Sequence, residues 1–441
     1  MKNRIFLISL ILTLNGCGQD GWLGEKDNEP KLSGKRLTVL KHADRLIPDE
    51  HVDNVTIKLP SQENLSAWSN SNGSQYNYPD HIKLGNVSNS YQEKRVIPIS
   101  RRPYYLTTTP VVADDIIYIM NGIGNVFAYK KDDLSKPLWV KHLAPSDEKE
   151  EIIGGGLAYS DGVVFATSGH KDIVALKGDN GKELWRHALN NITRAAPIVQ
   201  ENKLFAVTID NKLYALDKHE GNLLWVHEGA SETIGIFGAA SIAADNGIIV
   251  TPHSSGQLHG LSMDSGEEIW SVNLSYNRTS MAGFSFPDID VTPVIRNGVV
   301  YVAGNMGLLY AIDLSSGILK WQREIKGIKS IWVAGDFLYT VNASNELICI
   351  YNIDGRLKWI KQLDQYKNQK KNKGHISYAG PVLAGENLIM ISNAGKLLFI
   401  SPYDGKITTE RNAPSKINLL PVIVNESLYL LSNSGNLVLF K

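Results

Sequence analysis

The chain has 441 residues with 45 basic and 45 acidic side chains, so its formal charge is zero. That balance argues against nucleic acid as a partner, which selects a positive field. A hydrophobic content of 43% excludes disorder. The two cysteines, Cys17 and Cys349, are too few for a disulfide framework or a structural zinc site.

Lys2 and Arg4 precede an apolar run at residues 5–14. That run is too short to span a bilayer and reads as a secretory signal. It ends in Leu14-Asn15-Gly16-Cys17, which resembles the lipobox of bacterial lipoproteins. The resemblance implies that residues 1–16 are a signal peptide and that Cys17 carries the lipid, palmitate included. An ordinary signal peptide with a chance cysteine is the weaker reading. Gly18 stands where an inner-membrane lipoprotein has Asp. The resemblance therefore implies an outer-membrane anchor facing the periplasm, where several acyl chains hold stably and one does not. Residues 17–60 are polar without sustained periodicity, and we expect a flexible tether there, with a reach of about 35 Å.

Residues 61–441 carry an internal repeat. A turn followed by alternating apolar residues recurs at 124–129, 171–176, 211–216, 256–261, 307–312, 345–350, 395–400 and 435–440. A β-rich run ending in a turn precedes each copy, as at 298–305 and 388–393, which reads as strands joined by hairpins. Shorter runs with Pro near their start, such as Pro197-Ile198-Val199 and Pro381-Val382-Leu383, supply a further strand. After the repeated strand comes Asp-x-x-x-Gly-x-x-x-Trp, as in Asp217, Gly221 and Trp225 or Asp313, Gly317 and Trp321. Looser versions end at Trp139, Trp185, Trp270 and Trp359, and Thr409 takes the Trp place after Gly405. Four strands per unit of roughly 40–50 residues predict an all-β fold, an eight-bladed β-propeller of four-stranded antiparallel blades.

The eighth copy ends at Phe440, so the last blade lacks a fourth strand. We expect the segment around Trp68 to supply it, closing the ring by an N-terminal strand and removing an open edge. One Trp per blade at equivalent positions is how packing between neighbouring sheets is written, and the motif glycines are expected in turns of positive φ.

The repeat from Ala215 to Trp225 resembles the tryptophan-docking repeat of pyrroloquinoline-quinone (PQQ) enzymes, which raises the alternative of a periplasmic PQQ-dependent quinoprotein dehydrogenase. Those enzymes carry adjacent cysteines near the cofactor, whereas Cys349 stands alone in a predicted strand. No His-Glu-x-x-His pair, Gly-x-Ser-x-Gly elbow or phosphate loop occurs. No catalytic residue, cofactor or metal is expected. The basic stretch Lys367, Lys370, Lys371 and Lys373 reads as a solvated loop.

A lipoprotein signal followed by one such propeller resembles the BamB family, the lipoprotein subunits of the outer-membrane β-barrel assembly machinery. Two segments carry the specific likeness. Asp288-Ile289-Asp290-Val291-Thr292-Pro293-Val294 is similar to the family's Asp-x-Asp-x-Thr-Pro-Val element, whose aspartates contact BamA, the barrel-bearing subunit. Two readings stay open for Asp288 and Asp290: that contact, or satisfaction of backbone N–H groups at a strand entrance. In 233–238, Ile234, Ile236 and Gly238 match the family's BamA-contacting loop, and Phe237 replaces its Arg. That loop also reads as a core strand by its alternation. The resemblance implies a non-catalytic scaffold that binds BamA and other assembly subunits, aids insertion of β-barrel proteins, and meets outer-membrane lipid through its acylated N-terminus.

Overall fold

The computed structural model describes residues 46–440, apart from 75, 76, 78, 89, 99–105, 107, 145–153, 194, 231–239, 275–288, 290, 305, 306 and 415. Eight four-stranded antiparallel sheets form the blades of a propeller. Blade one comprises Val111–Ala113, Ile116–Met120, Asn125–Lys130 and Trp139–His142. Blades two to seven follow in the same order. Their first strands are Gly155–Ser160, Ile198–Gln200, Ala243–Asp245, Val294–Arg296, Ser330–Ala334 and Tyr378–Ala384. The first strands of successive blades neighbour one another and so ring the axis. Third strands such as Lys212–Asp217 are apolar on both faces because blades cover them from both sides. The outermost strands alternate between half-buried and exposed residues, as Glu183–Ala188 does.

One contact repeats around the ring. The motif Trp of each blade lies on the motif Gly of the next, and its indole N–H donates to a carbonyl there. Trp185 donates to Lys218 O (3.1 Å), Trp270 to Leu314 O (2.7 Å) and Trp321 to Asn352 O (2.8 Å). Trp139, Trp225 and Trp359 do the same to Gly178, Met263 and Pro402. Gly221 has φ +72, and a Cβ there would stand 2.5 Å from the Trp185 ring. The glycine thus serves both the left-handed turn and the seat of the indole.

Two junctions lack the indole: blade seven has Thr409 in its place, and blade eight draws its outer strand from the N-terminal region. That strand is Gln92–Arg95, paired antiparallel with Asn436–Phe440. The expected position of Trp68 is therefore corrected. Trp68 is fully buried, and it pairs with Val112 on the axial edge of blade one. The four exposed residues Gln92–Arg95 carry no alternation that would mark them as a strand.

Between Trp68 and the closing strand the chain enters the propeller axis. Tyr159 N–H of blade two donates to Ser69 O (2.7 Å), and Ile82 pairs in parallel with Ala384 of blade seven. Gly85 N–H donates to Glu426 O of blade eight (2.9 Å). Arg296 of blade five pairs with Asp80 at 2.6 Å, and Trp332 of blade six donates to Asp80 O. Burial pushes the Asp80 carboxyl up, against the pull of Arg296. Of the expected tether at 17–60, the described part, 46–60, is packed rather than free. Asp49 pairs with Arg323 (2.7 Å) and accepts from Leu357 N–H (2.8 Å), Lys358 caps Val52 O (2.6 Å), and Val52 and Ile57 are buried.

Trp68→Ala is predicted to cost about 3–5 kcal/mol of stability, the usual range for emptying a buried aromatic site. Lys94→Ala in the closing strand should change it by less than about 0.5 kcal/mol, since that side chain is exposed and the pairing is backbone. Urea unfolding of the two variants checks both.

Candidate functional site

In antiparallel four-stranded blades, the connections between blades and the turns between second and third strands lie at one end of the sheets. The remaining hairpins lie at the other. The inserted N-terminal segment contacts the hairpin end through Trp68, Ile82 and Leu84. The loop between them reaches the connection end. Asn77, at φ +64, donates from Nδ2 to Ile242 O (2.6 Å) and Pro293 O (3.0 Å), at the entrances of blades four and five. Ser71 and Thr109 hold the same loop to the entrance of blade one, with Thr109 Oγ1 donating to Ser71 O (2.7 Å).

The loop tip floors a cavity of about 380 Å³ at the mouth of the axis, walled by Thr292, Lys329, Trp332, Tyr378 and Pro381. Lys329 is exposed there, yet the walls remove enough water to lower its pKa. Its ammonium stands 3.5 Å from Asn345 Oδ1. The connection between blades six and seven rises beside the mouth as a short hairpin, Tyr366–Asn368 with Lys373–His375. It presents Lys367, Lys370, Lys371 and Lys373 to solvent, as expected of that basic stretch.

The two segments singled out in the sequence enter blades four and five at this end. Cys17, Ile234, Ile236, Phe237, Asp288 and Asp290 lie outside the described residues. Their flanks are described, and they meet. Ser241 N–H donates to Thr292 Oγ1 (3.1 Å), and Ser241 Oγ donates to Ala196 O of blade three (3.3 Å). Ile289 is buried in the core shared by blades four and five. The structure thus joins the roots of the two segments through Thr292 of the Asp-x-Asp-x-Thr-Pro-Val element, and clamps both with Asn77. Sequence reasoning singled out neither Asn77 nor Ser241. Both are lone polar residues whose role depends on a blade entrance far away in the chain.

Cys349 sits fully buried in Glu346–Tyr351 with its thiol pKa pushed well up by burial. It stands against Tyr339 on the neighbouring strand. This agrees with an inert core thiol.

The profile of a protein family described as outer membrane protein assembly factor BamB matches residues 132–361, more than half of the chain. The outer membrane protein assembly factor BamB of Escherichia coli is 26% identical over 329 residues, which cover 71% of this chain and 78% of that protein. Among solved structures, BamB from Moraxella catarrhalis superposes with a TM-score of 0.65 at 17% identity, over 79% of this chain and 98% of that one. A europium-containing methanol dehydrogenase shares the fold, with a TM-score of 0.61 at 13% identity, over 83% of this chain and 89% of that one.

Thr292→Val removes the acceptor for the Ser241 N–H at nearly constant volume. It is predicted to lower stability by about 1–2 kcal/mol, the cost of a stranded donor, while Thr292→Ser retains most of it. Chemical denaturation of the pair measures the difference.

Proposed function

The chain belongs to the outer membrane protein assembly factor BamB family, and from that membership we propose that it is a non-catalytic scaffold that docks on the barrel-bearing subunit BamA. Docking uses the loops that carry Ile234, Ile236 and Phe237 on one side and Asp288 and Asp290 on the other. The observation that carries this reading is the 3.1 Å bond between Ser241 and Thr292. It ties the roots of both loops into one rigid rim, so that two chain-distant segments address one partner surface. Interface energy concentrates in a few central residues, among which aromatics are over-represented. With Phe237 in the family's Arg position, this contact shifts from charge pairing towards apolar burial. Cys17 is the lipidated residue, and its acyl chains hold the propeller at the outer membrane facing the periplasm. The packing of residues 46–60 against blade six supports a tether confined to about the first 28 residues after Cys17. The rigidity of an axis filled by the chain's own segment supports a positional role, in which the ring orients BamA and the other assembly subunits.

Affinity for BamA measured at low and high salt tests the docking surface. Phe237→Ala is predicted to weaken binding by about 1–3 kcal/mol at both salt concentrations, because buried apolar contact is not screened. Asp288→Ala with Asp290→Ala should weaken it chiefly at low salt. Unchanged affinity for both variants, with folding intact, would remove these loops from the interface. Cys17→Ser is predicted to move the protein from the outer-membrane fraction to the soluble periplasm or to an uncleaved precursor, since the acyl chains supply the membrane affinity. Cell fractionation reads this directly.

A further inference from the structure

Blades three and four meet around side chains that break the repeat. At the third-strand position held by Val174, Tyr214, Tyr310, Ile348 and Leu398 in other blades, blade four has His259. This imidazole is buried, and its Nδ1 lies 2.7 Å from Glu268 Oε2 on the outer strand of the same blade. His227, on the outer strand of blade three, faces it with ring centroids 5.5 Å apart. His253 packs against both, its ring centroid 4.4 Å from that of His259 and 6.3 Å from that of His227. It occupies space left open by Gly229, where a Cβ would stand 2.1 Å from the ring.

The orientation of His227 follows from the repeat. In blade two, His187 places Nδ1 3.0 Å from Gly221 O, and His227 makes the equivalent bond to the Gly266 backbone. A ring that donates from one nitrogen presents a lone pair on the other. His227 Nε2 and His259 Nε2 are both buried and have no hydrogen-bond partner among the described residues. Buried polar atoms are satisfied in nearly all proteins, so two orphaned imidazole nitrogens at one junction call for a ligand.

We propose that His227, His259 and Glu268 form a binding site for a zinc-class divalent cation that staples blade three to blade four. One donor atom from each residue lies within 4.8 Å of the other two. Donors around one tetrahedral cation, bonded at about 2.0–2.1 Å, stand about 3.3 Å apart. The site therefore closes by side-chain adjustment of up to about 1.5 Å. Two imidazoles and one carboxylate suit zinc better than calcium or magnesium, which take all-oxygen sets. Ser271 Oγ donates to the other Glu268 oxygen (2.8 Å) and orients the carboxylate. The fourth position is left to water or to His253. Glu268 is exposed, which gives the ion access from solvent. The three ligands come from three strands of two blades, so no short spacing in the sequence marks them. His227 stands four residues before the segment 231–239. The site needs neither the lipid nor the partner, and so stands apart from the scaffold reading.

The test uses the untagged full-length chain, stripped of metal by a chelator and dialysed, titrated calorimetrically with zinc chloride. One ion per chain is expected, with a rise in melting temperature. His227→Gln combined with His259→Gln should weaken binding by about 100-fold and abolish the rise, since second-shell changes alone cost tenfold or more. Circular dichroism checks that the variant is folded. If it is not, Glu268→Gln on the exposed carboxylate serves instead, with an expected loss of at least about tenfold. Cobalt titration gives an independent readout, a visible absorption band present in the wild type and lost in the variant. Failure of the wild type to bind zinc below about 1 mM, or equal binding by a folded variant, overturns the proposal.

Discussion

Each blade is fixed to the next by an indole laid on a left-handed glycine, with the indole N–H closing on a carbonyl of the neighbour. This contact occurs at six junctions, from Trp139 of blade one to Trp359 of blade six. Buried aromatics contribute large apolar areas, and a satisfied N–H removes the penalty of burying a polar atom. The ring then has two junctions where the contact is missing, on either side of blade eight. The N-terminal segment crosses that gap. Its strand Gln92–Arg95 completes blade eight. Tyr129 of blade one donates to Val96 O immediately after that strand (2.7 Å). Ile82 and Leu84 pair with blades seven and eight. The segment that closes the ring is therefore also the segment that fills its axis.

That dual role shapes the candidate site. A loop forced through the axis by its anchors at Trp68 and Ile82 brings Asn77 to the entrances of blades four and five. There it donates to the backbone carbonyls of Ile242 and Pro293. The rim that results is built from polar contacts between chain-distant residues, Asn77, Ser241 and Thr292, on a scaffold of apolar sheets. Specificity carried on loops whose roots are rigid is the common arrangement for recognition surfaces.

The blades and their packing residues were legible in the sequence because they repeat. Third strands such as Leu308–Asp313, and the Asp313, Gly317 and Trp321 motif after them, recur with the same physical job in each blade. The closing strand was not legible, since Gln92–Arg95 is exposed on both faces and is held by backbone pairing alone. Counting indoles led to Trp68, which has the right residue type but serves the axis of blade one. The packing of 46–60 was hidden for a similar reason: Asp49 and Lys358 form polar anchors across more than 300 residues, and composition does not register such pairs. At the candidate site, the Asp-x-Asp-x-Thr-Pro-Val element was visible as a motif, but the bond from Thr292 to Ser241 was not. The histidines of blades three and four show the converse. They have no motif spacing in the sequence, yet His259 stands out where the repeat places it in a largely apolar column.

The central claim is that the end of the propeller carrying the blade connections faces the partner. Site-specific photo-crosslinking in intact cells tests this most directly. A photoreactive residue at Ala230 or Ser255, at the connection end, is predicted to capture the barrel-bearing subunit. The same residue at Glu201 or Asn246, in hairpins at the opposite end, should capture little of it. Capture from Glu201 and Asn246, with none from Ala230 and Ser255, would contradict the account.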